Sequence, residues 1–106
     1  MQQGEKFAEN LRNKIFHLAE KIRSERNVDK IILYGSLARG DFNEGSDIDL
    51  IVVADFSERF HKRSAEILEM TVLPVEPICY TKEEFEDMIR NKNPFLLSVI
   101  EEGILI

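Results

Sequence analysis

Hydrophobic positions recur at two different spacings along the first half of the chain, and the spacing separates helices from strands. From Glu5 to Arg26, apolar residues return every three or four positions, as on one face of an amphipathic helix. Short apolar runs at 30–34 and 47–53 are rich in β-branched residues and predict two buried strands. Between them, residues 37–39 suit a short helical turn, and 40–46 have the Gly, Asn, Asp and Ser content of a loop.

The second half of the chain continues the same alternation. Helical spacing of apolar residues predicts a helix over 57–69, and an apolar run predicts a strand over 72–80. Two prolines in that strand predict that it is irregular or lies at a sheet edge. Thr81 and Glu84 form a capping-box pattern that opens a helix, with Phe85 and nearby apolar residues facing inward.

The chain closes with an apolar segment that admits two interpretations. Residues 95–100 predict a helix after Pro94, and five of those six residues are apolar, which is more than one buried stripe needs. The excess predicts either core packing or a partner interface. Gly103 ends this helix, and residues 104–106 predict a last short strand.

Composition narrows the class of protein. A length of 106 residues fits one compact domain over residues 1–106. The single Cys79 argues against a disulfide framework, and neither a signal peptide nor an apolar run of membrane-spanning length is seen, so a cytoplasmic protein is expected. A net charge of −6 argues against strong nucleic-acid binding. The acidic second half predicts either a solvated surface or a contact with a basic partner.

Candidate chemistry is concentrated where two predicted strands end or begin. Asp47 and Asp49 are two positions apart on a strand, so both carboxylates project from the same face and suit Mg²⁺, which prefers oxygen ligands. Gly35 and Ser36 close the preceding strand, where a strand-to-helix turn directs N–H groups toward an anion. Arg39 lies one helical turn beyond Ser36 and is expected to reach the same phosphate.

A third carboxylate is expected because two metal ions close together share bridging ligands. Glu76 is the candidate, since it stands between Val75 and Pro77 in an apolar strand where an unpaired charge is out of place. The combined pattern predicts a nucleotide site. Each part alone also has a plain structural reading: Asp-x-Asp as a solvated turn, Arg39 as a surface ion pair, and Glu76 as an edge-strand charge.

The sequence around these residues resembles a known family. Gly-Ser-Leu-Ala-Arg-Gly at 35–40, followed by Ser-Asp-Ile-Asp-Leu at 46–50, is similar to the signature of minimal nucleotidyltransferases of the DNA polymerase beta-like superfamily. The resemblance implies an α/β (α+β) fold in which a mixed three- to four-stranded sheet is flanked by helices. It also implies that Asp47, Asp49 and Glu76 bind two Mg²⁺ ions and that Gly35-Ser36 contacts the triphosphate.

The resemblance also implies an activity and a partner. Such proteins transfer AMP from ATP, or an NMP from another NTP, and act as antitoxins that modify a tyrosine of a HEPN-family toxin. A chain of this length accommodates the nucleotide-binding part and no sizeable acceptor domain, so the acceptor is expected to be another molecule. A homo-oligomer and a hetero-oligomer are both compatible with the sequence. Two departures, Leu37 where relatives carry a basic residue and a proline-flanked Glu76, favour an alternative: a binding module that neutralises its partner without catalysis.

Overall fold

Helices and strands alternate along the chain in a computed structural model, which describes residues 2–41 and 45–106, with side chains from residue 8 onward. The middle of the predicted loop, residues 42–44, lies outside the described residues, as does the side chain of Phe7. The described elements are α1 (Gln2–Glu25), β1 (Val28–Tyr34), α2 (Ser36–Arg39), β2 (Ile48–Ala54), α3 (Phe60–Glu69), β3 (Val75–Tyr80), α4 (Lys82–Arg90), α5 (Pro94–Glu102) and β4 (Ile104–Leu105).

The four described strands form one mixed sheet in the order β3-β2-β1-β4. β1 is antiparallel to both β2 and β4, whereas β2 and β3 are parallel and joined through α3. The predicted mixed sheet flanked by helices is therefore confirmed. β3 lies at one edge, as its prolines predict, and its pairing with β2 continues through Pro77.

Alternate residues of the strands belong to two hydrophobic layers, one on each face of the sheet. On one face, α1 and α3 pack on the sheet through the buried side chains of Ile15, Leu18, Ile22, Leu50, Val52 and Ile67. On the other face, α4 and α5 cover Ile32, Ile51 and Val53 with Phe85, Leu96 and Val99. β2 is buried on both faces because it lies inside the sheet between two helical layers.

Several boundaries differ from the sequence-based predictions, and three elements begin three residues away from the predicted start. α1 begins at Gln2, earlier than the predicted Glu5, and α3 begins at Phe60 instead of 57. β3 begins at Val75 instead of 72, because the Val75 N–H donates to the Leu73 carbonyl in a tight turn before the strand. The predicted capping box is present: Thr81 accepts from the Glu84 N–H at 3.1 Å, and Glu84 accepts from the Thr81 N–H at 2.8 Å.

A buried arginine connects the second layer to the first. Arg63 of α3 is only 6% exposed, and its guanidinium donates to Glu84 of α4 at 2.6 Å and to the Cys79 carbonyl of β3 at 3.2 Å. Its Nε donates to the Glu58 carbonyl at 2.9 Å, which holds the segment just before α3 in place. This side chain therefore joins β3, α3 and α4, and the sequence pattern did not single it out.

None of the described helices combines the length and the apolar character that crossing a bilayer requires.

Candidate active site

Three polar residues form a row across one end of the sheet. In the strand register, Tyr34 of β1 is opposite Asp49 of β2, and Asp49 is opposite Glu76 of β3. Residues opposite one another in a sheet project from the same face. The row therefore brings together Asp49 and Glu76, 27 positions apart in the sequence, next to the turn that follows β1.

Gly35 makes that turn possible. Its φ of 78° and ψ of −153° belong to a region of backbone conformation that side-chain-bearing residues avoid. A Cβ placed on Gly35 would lie 2.3 Å from Oδ2 of Asp49 and 3.2 Å from its Cγ. The turn therefore lies so close to the carboxylate that any side chain at position 35 would collide with it.

The carboxylates influence one another. Asp47 lies immediately before β2, close enough to Glu76 for the two carboxylates to influence each other. The negative charge of Asp47 raises the pKa of Glu76, with a further contribution from Asp49. Partial burial, and then the Asp47 charge, raise the pKa of Asp49. Three acidic groups thus share one small region in which their charges repel.

The predicted phosphate-binding residues lie on the other side of Asp49. Ser36 and Arg39 are the first and last residues of α2, which starts directly after Gly35. Arg39 is exposed, lies 3.4 Å from both Asp41 and Glu102, and its charge lowers the pKa of Asp49. A cationic side chain is therefore near the carboxylates while still accessible from solvent.

The residues at this end of the sheet fit Mg²⁺. Their donor atoms are carboxylate oxygens, the ligand type that Mg²⁺ prefers. A bound divalent cation would also offset the repulsion among the three negative charges. Among the side chains that the structure describes, in residues 8–41 and 45–106, no three of His, Cys, Asp or Glu are already arranged as a closed metal-binding cluster. The roles of Asp47, Asp49 and Glu76 as metal ligands remain predictions.

Two aromatic residues that the sequence analysis did not assign to the site lie at its border. The Tyr34 ring packs edge-on against Phe95 of α5, with ring centroids 5.6 Å apart. Burial and the nearby charge of Asp49 raise the pKa of Tyr34 to about 12, so its hydroxyl stays protonated at neutral pH. The position of Tyr34, last in a strand and adjacent to Gly35, is the signal that would have found it.

A match to a protein-family model identifies the family of this chain. Residues 17–105 match the model of the nucleotidyltransferase domain, which is most of the chain. The chain belongs to this family. The assignment confirms the predicted nucleotidyltransferase class, and the row of Asp49 and Glu76 lies within the matched residues.

Individual relatives of this nucleotidyltransferase agree with the assignment. Two proteins of Methanocaldococcus jannaschii carry the provisional name protein adenylyltransferase. One is 32% identical over 84 residues, which cover 79% of this chain and 81% of that protein. The other is 50% identical over 42 residues, which cover 40% of this chain and only 42% of that protein.

A solved structure supports the fold. It is that of a protein from Sulfolobus solfataricus that is provisionally described as a nucleotidyltransferase. The two structures superpose with a TM-score of 0.59, covering 84% of this chain and 72% of that chain at 21% sequence identity. At this identity the likeness shows the shared fold alone.

Proposed function

We propose that this nucleotidyltransferase transfers AMP from ATP to a hydroxyl group on a partner protein, in a reaction that depends on Mg²⁺. One observation carries the proposal: the register of the sheet puts Asp49 and Glu76 side by side, with Asp47 near Glu76 and the Gly35 turn against Asp49. A row of carboxylates beside an anion-binding turn suits the transfer of a phosphoryl-type group.

The residues divide into two groups by role. Asp47, Asp49 and Glu76 would hold Mg²⁺, which when bound neutralises charge that develops on the phosphates. Ser36 and Arg39 would hold the leaving phosphates beside the Gly35 turn.

The bond changes are those of an in-line displacement. A bond forms between the acceptor oxygen and the α-phosphorus, and the bond between that phosphorus and the bridging oxygen breaks, so pyrophosphate leaves. Glu76, beside Asp49 in the strand register, would accept the acceptor's proton.

The nucleotide and the acceptor are inferred from the relatives. The names of both M. jannaschii proteins specify adenylyl transfer to protein, which supports ATP as the donor. The resemblance to minimal nucleotidyltransferases supports a HEPN-family toxin as the acceptor, with this chain as its antitoxin in the cytoplasm. The acidic C-terminal half offers a surface for a basic partner.

Substitution of one carboxylate tests the proposal. Asp49→Asn preserves side-chain size and removes the charge, so we expect transfer of label from α-labelled ATP to fall at least about 100-fold. Asp87→Asn is the matched control, since Asp87 is an exposed residue of α4 paired with Arg90 and is expected to leave transfer unchanged. Full activity of the Asp49→Asn protein would overturn the assignment.

A second candidate function rests on Leu37. This residue follows the Gly-Ser turn, and it packs toward the α1 face of the core, so it supplies no phosphate contact. A chain that retains the fold but neutralises its partner by binding alone would tolerate this loss. Co-expression separates the two functions: an Asp47→Asn/Asp49→Asn variant that still protects cells from the partner would favour the binding module.

A further inference from the structure

A groove beside β3 continues the candidate active site toward the edge of the sheet. This β3 groove has a volume of about 350 Å³ and lies between the start of α3 and the start of α5. Its floor is the strand from Pro77 to Tyr80, which follows Glu76 without a break. Ile78 is two positions after Glu76, so both side chains project from the same face, about 7 Å apart along the strand. The floor of the groove is therefore an extension of the carboxylate row.

Two exposed aromatic rings from different helices line the β3 groove. Phe60, the first residue of α3, is 52% exposed, and its ring centroid lies 5.7 Å from that of Tyr80. Phe95, in the first turn of α5, is 41% exposed and packs edge-on against Tyr34 of the row. Each ring is therefore supported from inside the fold and still accessible to a ligand. Aromatic side chains in this situation favour a second ring as the ligand.

Polar groups also line the β3 groove. His61 follows Phe60, and Ser64 lies one helical turn after Phe60 on the same face of α3. The imidazole and the hydroxyl group are able to form hydrogen bonds with a ligand. The groove therefore suits a side chain with an apolar ring and a polar tip better than a purely aliphatic one.

The direction of the proposed reaction indicates what occupies the β3 groove, and this step rests on the proposed function. In an in-line displacement, the attacking oxygen and the leaving oxygen are on opposite sides of the phosphorus. The residues proposed to hold the leaving phosphates follow β1, whereas Asp49 is on β2 and Glu76 is on β3. The acceptor therefore approaches from the β3 side, where the groove lies.

We propose that the β3 groove binds an aromatic side chain of the acceptor protein and thereby brings the acceptor hydroxyl to Glu76. Rings pair edge-on or offset, and Phe60 and Phe95 present the surfaces for such pairing. A nucleobase is planar too, but it belongs to the nucleotide and not to the group that attacks opposite the leaving phosphates. The direction of attack therefore favours the acceptor over the nucleobase.

Binding is tested first in the absence of ATP, so that the result does not depend on transfer. The probe is N-acetyl-tyrosinamide, and N-acetyl-leucinamide is the aliphatic comparison. In the unaltered protein, the tyrosine compound should shift the NMR amide signals of Phe60, Ser64 and Phe95, and the leucine compound should shift them at least about fivefold less. The signal of Leu68, which is farther along α3, should stay in place. Equal shifts from the two compounds would contradict an aromatic site.

The second test measures the rate at which label from α-labelled ATP reaches the acceptor in host lysate. Phe60→Ala should lower this rate about tenfold at limiting lysate, and the difference should shrink as the lysate is concentrated, because binding of the acceptor is weakened. The KM for ATP should not change. Phe60→Tyr keeps the ring and should keep the rate. Leu68→Ala is the matched control, since Leu68 is 47% exposed on the same helix and lies outside the groove lining.

The outcomes separate this proposal from the transfer reaction. Where the unaltered protein labels nothing, the proposed function fails, and the NMR shifts still decide whether the β3 groove binds an aromatic side chain. Where label is transferred, equal rates for the Phe60→Ala and Leu68→Ala proteins would overturn the groove as the acceptor site. A raised KM for ATP in the Phe60→Ala protein would assign the groove to the nucleobase and overturn the proposal as well.

Discussion

At the scale of single residues, the site depends on Gly35. Its positive φ turns the chain away from β1, and its lack of a side chain leaves room for the Asp49 carboxylate. Gly40, at the other end of α2, also has a positive φ of 81°, but a Cβ placed on it would meet none of the described atoms within 4 Å. The two glycines therefore share a backbone requirement, and only Gly35 has a steric requirement among the described residues.

Alanine substitutions at Gly35 and Gly40 separate the backbone requirement from the steric one. Gly40→Ala should cost about 1 kcal/mol in the free energy of unfolding and leave transfer nearly unchanged. Gly35→Ala should cost about 2 kcal/mol, and it should lower transfer about 100-fold because the Asp49 carboxylate must rotate away. Urea denaturation and label transfer measure the two effects. Equal activities of the two variants would contradict the role of the close approach.

The single cysteine is expected to be inert in the folded protein. Cys79 is buried in β3, and burial raises the pKa of its thiol to about 12, so almost no thiolate is present at neutral pH. A thiol reagent such as DTNB at pH 8 should therefore label the protein only after denaturation in urea. Stoichiometric labelling of the native protein within minutes would show that this strand is not packed as described.

At the scale of elements, Arg63 links the second layer of helices to the first through polar contacts. It makes two hydrogen bonds to Glu84, at 2.6 and 3.2 Å, while Glu84 also caps the start of α4. Because the guanidinium is buried, losing its partner leaves a charge that water does not reach. The start of α4 and the end of β3 are therefore fixed by one network.

Removing this arginine should destabilise the fold. Arg63→Met is expected to lower the free energy of unfolding by about 1–3 kcal/mol, chiefly because the buried Cys79 carbonyl loses its donor, while the Glu84 side chain is 42% exposed and returns to water. Arg90→Met is the control, because the Arg90–Asp87 pair is exposed and should contribute less than about 0.5 kcal/mol. Chemical denaturation compares the two, and equal losses would contradict the network.

The same pair predicts a dependence of stability on pH. The Arg63 hydrogen bond lowers the pKa of Glu84 below its ordinary value of 4.5. The stabilisation is therefore complete above the ordinary value and is lost as the pH falls through the lowered value in the folded protein. Stability of the Glu84→Gln protein should fall less steeply over this acidic range. An unchanged slope would show that Glu84 is not ion-paired.

Most of these elements were predictable from local sequence. Apolar spacing gave the helices and strands, and the Thr81 to Glu84 pattern gave the start of α4. The start of α3 was not predictable from apolar spacing, because side chains hold the residues before Phe60: Arg63 binds the Glu58 carbonyl, and Arg26 binds the Glu58 side chain. The Arg26 contact joins residues whose proximity exists only in the folded chain.

At the scale of the whole molecule, the candidate site is a product of strand register. Sequence spacing already placed Asp47 near Asp49 and Gly35 near Ser36. The neighbouring positions of Tyr34, Asp49 and Glu76 arise only when three strands align, so the spacing alone did not show them. Glu76 was recognised as a charge in an apolar strand, whereas Tyr34 looked like the end of an ordinary buried strand.

Transfer of a nucleotide is the central claim, and one measurement tests it most directly. The purified protein is incubated with α-labelled ATP, Mg²⁺ and lysate of its own host, beside an Asp47→Asn/Asp49→Asn variant. We predict that label appears on one host protein, that only the unaltered chain produces it, and that a metal chelator abolishes it. Absence of label with ATP and with the other NTPs, from a folded protein that still binds its partner, would contradict the claim.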